Sequence, residues 1–282
     1  MFKQLTRLSI FTFVPLLLLG VTPAFAISHV TFVSGKGTNT GTCASSATPC
    51  RTFQFALGLT SPGGEIKALD PASYGRLTIN KSISISGVEG AGIDRNGANP
   101  AITINAGPND TINLSHLTID GLKVSNNGIV FNSGGSLTMT HCTVRNFTTA
   151  GILLRPSGRT SFLFSAVSAS DNGFVGVLVN PLPTGSIQGT LDQVSMNQNG
   201  NGLTITGAGT TVLVVDSSAT NNGQGCGVGT GAILRLAHSS VTGNGTGVRT
   251  PAGGGIAESF GDNFIASNVI DVDGSLVPVQ PQ

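Results

Sequence analysis

Downstream of Gly128 the apolar and polar positions fall into lines that repeat every 20 to 26 residues. These lines open at Gly128, Gly151, Gly176, Gly202, Gly227 and Gly247. Each begins with a short apolar run: Ile129-Val130-Phe131, Ile152-Leu153-Leu154, Val177-Leu178-Val179, Leu203-Thr204-Ile205. A Gly/Ser/Pro turn of variable length follows. Next comes an alternating segment with apolar residues two apart: Leu137 and Met139, Phe162 and Phe164, Val212 and Val214, Leu234 and Leu236. An apolar–Ser/Thr–apolar triplet closes the line, as in Cys142-Thr143-Val144, Val167-Ser168-Ala169 and Val194-Ser195-Met196. Leu117-Thr118-Ile119 is an earlier copy. Asn172, Asn199, Asn222 and Asn244 share one column at the corner.

Three short strands per line, each with a period of two, make one coil of a parallel β-helix. A single coil cannot bury its apolar face. Stacked coils bury it against one another, in inward columns of aliphatic side chains. The corner Gly and Asn residues fit bends that need a positive φ, and stacked Asn side chains also fit a hydrogen-bonded ladder. A leucine-rich repeat has similar length but demands a fixed L-x-x-L-x-L spacing, which this chain does not hold. A β-sandwich places turns at such intervals without a column register. The fold class expected is therefore all-β, a parallel β-helix. Its right hand follows from the crossover preference of parallel strands.

The ends of a solenoid need covering. Thr52 is placed to cap a short helix with Phe53, Ala56 and Leu57 on one face. The expected organisation is a signal peptide over 1–26, a cap segment over 27–65, the β-helix over 66–270 and a frayed, Pro-rich tail over 271–282. The leader rests on Lys3 and Arg7, the apolar run Leu8–Gly20 and the small-x-small site Ala24-Phe25-Ala26. It implies a secreted or periplasmic protein with no membrane span after cleavage.

Composition narrows the function. There are 40 Gly, no Trp, one Tyr (Tyr74) and 10% charged residues. Two of the 14 Lys and Arg residues lie in the leader, and the others nearly balance 13 Asp and Glu. That excludes a basic nucleic-acid surface. Export permits disulfides, and Cys43 and Cys50 stand in a loop-like segment, so a bridge between them is expected. Cys142 occupies a core position and reads as a buried thiol. The state of Cys226 stays open.

The run from Cys43 through Pro49-Cys50-Arg51-Thr52-Phe53, Gly63-Gly64-Glu65-Ile66, Leu69-Asp70-Pro71, Tyr74-Gly75 and Leu77-Thr78-Ile79-Asn80-Lys81-Ser82-Ile83 resembles a group of bacterial exported proteins. They are known as right-handed β-helix repeat proteins of the pectin-lyase-like superfamily. The resemblance covers nearly the whole mature chain. It implies a right-handed β-helix with an N-terminal cap, and no established activity.

Candidate chemistry is sparse. Asn-Thr-Asp, Asp-Asp, His-Gly and Arg-Ile-Lys stretches, as in polygalacturonase-like sites, do not occur, and the acids are scattered singly. Column register brings Asp192 near Asp216. It also stacks His116 on His141, a pair suited to one metal or one base but lacking a third ligand. Asp120 and Arg145 share a column and read as an exposed ion pair. Phe162 and Phe164 fit core columns, whereas Phe131, Phe147 and Phe174 lie near corners, where exposure is expected. No cofactor and no metal is expected. The function expected is non-enzymatic, structural or gripping a polysaccharide or another cell-envelope component. The alternative is a polysaccharide lyase or glycoside hydrolase. An adhesin-like passenger is the third reading.

Overall fold

A computed structural model describes residues 28–94 and 97–280. The expected leader lies outside the described residues. Three parallel sheets of 11, 9 and 9 strands wrap one core, and the chain visits them in rotation. Strands of the longest sheet run from Ser28–Val33, through Ser136–Thr140, Arg159–Ser165 and Ser186–Asp192, to Leu276–Pro278. Those of the second sheet include Ala150–Leu154 and Val175–Val179. Those of the third include Thr143–Arg145 and Ser168–Ser170. The chain thus forms the right-handed parallel β-helix expected from its repeats, and the lines beginning at Gly128 are its coils.

Register is held residue for residue. Leu137, Phe162, Gly189, Val212 and Leu234 form one inward column of the long sheet. Leu117, Val144, Val167 and Val194 all line the shared interior, each at most 2% exposed. Phe162 exceeds the column's mean size, and Gly189 below it makes the room. A Cβ on Gly189 would lie 2.0 Å from the Phe162 ring. Phe131 and Phe147 are fully buried, contrary to the expectation of exposure. Proximity to a bend does not turn a side chain outward when its Cβ follows the inward phase of the strand. Phe174 is exposed, as expected.

The bends correct the reading of the corner residues. Between the long and third sheets the positive φ falls on His116, His141, Ala166, Gln193, Asp216 and His238, at 46–54°. None of these is Gly or Asn. The strain is held because the ladder between coils continues through the bend. His116 donates its N–H to the carbonyl of Thr140, His141 to Ser165 and Ala166 to Asp192, at 3.0–3.1 Å. At the next bend the left-handed position belongs to Asn146, before Phe147, and then to Asp171, Gln198, Asn221, Gly243 and Ser267, each one residue before a member of the Asn column.

That column acts through hydrogen bonds. The Oδ1 of Asn199 accepts from the backbone N–H and the Nδ2 of Asn172, both at 3.0 Å. The Nδ2 of Asn199 donates to the carbonyl of Ala169 and to Oδ1 of Asn222. Asn222 and Asn244 repeat the pattern, and Asn268 extends it to the last coil. From Asn172 to Asn244 these are buried amides whose donors and acceptors are met by the coil above and the coil below.

The helix forms at Phe53–Leu59, with Thr52 accepting from the N–H of Phe55 and with Phe53, Ala56 and Leu57 buried. Cys43 and Cys50 are bridged, with Cα atoms 5.4 Å apart. Asp70 ties the cap to the first coil, accepting from Tyr74 Oη, Ser34 Oγ and the N–H of Gly35. The sheet order departs from the expected boundaries at both ends. Ser28–Val33 already pairs with Thr60–Ala68, because its apolar phase needs the same core. Leu276–Pro278 pairs with Ile256–Ser259, so the expected tail carries strand through Pro278.

Two outcomes follow from this packing. Asn199→Ala strands buried amide groups in two neighbouring coils and is expected to lower stability by roughly 3 kcal/mol in urea unfolding. A loss below about 0.5 kcal/mol would remove the ladder's role. Cys142 and Cys226 are free, and burial pushes their thiols up to about 11 and about 12. Native protein at neutral pH should resist iodoacetamide, and unfolding without reductant should release two reactive thiols.

Candidate functional site

The outer face of the long sheet presents three columns of side chains. The central one reads Glu65, Ser84, Asn113, Thr138, Leu163, Thr190, Leu213, Arg235 and Glu258 in successive coils. Alternation explains the placement: Val212 and Val214 point inward, so Leu213 must point out. Near the C-terminal end this face is hollowed into an open groove of about 780 Å³. Ser161, Gln188, Thr190 and Thr211 line it with hydroxyl and amide groups. Leu213 and Phe260 supply apolar surface.

Charge gathers along one side. Arg235 donates from Nε to Glu258 Oε2 at 2.7 Å, one coil away. Nε2 of His238 lies 3.2 Å from Asp262 Oδ2, and the backbone N–H of His238 donates to Asp262 Oδ1 at 2.9 Å. The His238 imidazole is two-thirds exposed at the bend and remains accessible. A smaller recess of about 340 Å³ continues past His238 and Asp262 to Asp216 and Gln193. On the opposite side a recess of about 460 Å³ shares Ser161 and Gln188 with the groove and includes Arg159.

The candidates read from the sequence fare differently. His116 and His141 do stack, with ring centroids 4.9 Å apart and planes 5° from parallel, on the exposed bend. Among the described residues no group of three His, Cys, Asp or Glu is placed to hold a metal ion. Asp192 ends its strand and accepts from Ser165 Oγ at 3.1 Å. Asp216 sits in the bend column next to Gln193 and His238 and lines the recess, and Asp192 pairs in register with Val215, the residue before it. Asp120 and Arg145 are ion-paired at 2.8 Å, but Asp120 is buried, not exposed. It also accepts from Asn146 Nδ2 and from the N–H of Leu122, which the corner turns toward it.

Sequence reasoning missed Arg235, Glu258 and Asp262. The signal was present: Arg235 and Glu258 lie 23 residues apart, one coil length, both in the outward phase. The partner of His238 likewise lies in the following coil, 24 residues on.

No family model and no curated protein matches this sequence. Among solved structures it is similar to pectate lyase Pel9A, with TM-score 0.61 and 16% identity over 89% of this chain and 80% of that one. The A-module of the Azotobacter vinelandii mannuronan C-5 epimerase AlgE4 gives TM-score 0.49 and 17% identity, over 67% of this chain and 63% of that one. An alginate lyase from Paenibacillus sp. str. FPU-7 gives TM-score 0.45 and 13% identity, over 79% and 95%. The likeness to Pel9A is one of fold, the parallel β-helix.

Asp120 generates a pH dependence. Desolvation raises its pKa, but the Leu122 N–H, Asn146 and Arg145 outweigh it and hold the carboxyl below the usual 3.8. A depressed folded value means that the stabilisation is complete above 3.8 and is lost as pH falls through the folded value. Urea midpoints measured from neutral to strongly acid pH should therefore fall less for Asp120→Asn than for the parent chain. Parallel pH profiles would remove this role for Asp120.

Proposed function

We propose that this chain is an exported protein that holds a linear polysaccharide along the outer face of its longest sheet, without cleaving it. The observation that carries this reading is the open groove, whose hydroxyl, amide and apolar lining suits pyranose hydroxyls and C–H faces. The face is long enough for a polymer: 11 strands at the usual spacing extend roughly 50 Å. The fold shared with Pel9A, a pectate lyase by name, supports a carbohydrate ligand. Export is supported by the leader-like residues 1–26 and by the Cys43–Cys50 bridge.

A catalytic reading has one observation in its favour. The His238–Asp262 pair beside Arg235 is an imidazole oriented by a carboxylate next to a guanidinium, which suits proton abstraction from a bound sugar. Binding without turnover is the better reading. Asp262 in the groove wall is already engaged by His238, and Glu258 behind it by Arg235, whereas a glycosidase needs one carboxyl free to protonate the leaving oxygen.

Affinity electrophoresis of the full chain through gels containing soluble polysaccharides, with parallel assays for reducing and unsaturated ends, tests this. Retardation without new chain ends is expected. Release of ends that is abolished by His238→Ala, with retardation kept, would establish the catalytic reading instead.

A further inference from the structure

We infer that the groove selects uncharged polysaccharide and excludes polyuronates. The inference rests on the binding reading above and names its ligand class.

The charges around the groove lean negative. Asp262 stands in its wall, Glu258 behind it as the partner of Arg235, Asp216 in the adjoining recess, and Asp192 at the end of the strand that carries Gln188 and Thr190. Against these four acids the same region offers Arg235 and His238. Each is committed to an acid, Arg235 through Nε to Glu258 and His238 through Nε2 to Asp262. A guest carboxylate at Arg235 must share a guanidinium that Glu258 already occupies, and it meets the field of the remaining acids. Arg159 lines the recess that shares Ser161 and Gln188 with the groove, so it stands at the other end of the groove, seven residues and roughly 20 Å by strand rise from the bend column.

The rest of the lining has no charge to satisfy. Leu213, Phe260 and Ala237 give an apolar strip for the C–H face of a sugar ring. Ser161, Gln188, Thr190 and Thr211 beside it donate to and accept from neutral hydroxyls. A uronate in every ring of the guest multiplies the repulsion along the polymer. Salt screens such exposed charges over about 10 Å at 0.1 M, so the exclusion is strongest at low ionic strength.

The test compares retardation of the full chain in gels of a neutral glucan, a galactomannan and a xylan with gels of polygalacturonate and alginate, at low and high salt. Retardation by a neutral polymer, with affinity for both polyuronates at least about tenfold weaker at low salt, is the expected result. Leu213→Ser, on the outer face, should weaken the neutral interaction about tenfold while leaving thermal melting unchanged. The double variant Glu258→Gln/Asp262→Asn should gain retardation by polyuronate. Equal or tighter binding of polygalacturonate or alginate by the parent chain overturns the selectivity and leaves the binding reading standing. No retardation in any gel overturns the binding reading, and the selectivity with it.

Discussion

Every coil of this molecule is incomplete alone. Its inward side chains are covered only when the coil above and the coil below match it residue for residue, so register is the constraint on which everything else rests. A slip of one position would turn Val212 and Val214 to solvent and bring Leu213 inward. The same slip would scatter the outer columns. The groove is therefore a by-product of the core: Arg235 meets Glu258 because Leu234 and Leu236 are held over Ala257 and Ser259.

Two devices maintain that register where strands end. At one bend the backbone ladder runs on through left-handed residues, so the bend position accepts His, Ala, Gln or Asp. This tolerance explains how function can be carried there: His238 and Asp216 occupy a left-handed site that accepts several side chains unbranched at Cβ. At the other bend, side-chain amides take over the bonding, and the position is restricted to Asn from Asn172 to Asn268. One corner is chemically open and the other is fixed.

Most of the architecture was legible in the residues. The period, the three strands per coil, the Asn column, the capping helix and the Cys43–Cys50 bridge all follow from spacing and residue type. What was not legible arises from geometry that spacing does not encode. Phe131 and Phe147 near corners looked exposed because sequence gives distance to a bend but not the direction of Cβ. Asp120 looked like a surface partner of Arg145 because the inward tilt of the Leu122 and Asn146 groups appears only once the corner is built. The groove's charged wall escaped because its members lie in three segments, and only the stacking of the last coils joins them.

The turn entering the long sheet differs from both bends. Between Val179 and Ser186 it holds Pro181, Leu182 and Pro183, whereas the next coil crosses from Ile205 to Thr210 with fewer residues. Inserting chain at this crossing moves no rung and breaks no ladder. The bank of the cleft beside Arg159 can thus be raised or reshaped coil by coil, while the opposite bank, bound by the tight bend at His238, keeps its height. A scaffold with one adjustable shore and one rigid shore can acquire new guests by lengthening loops alone, without renegotiating its interior.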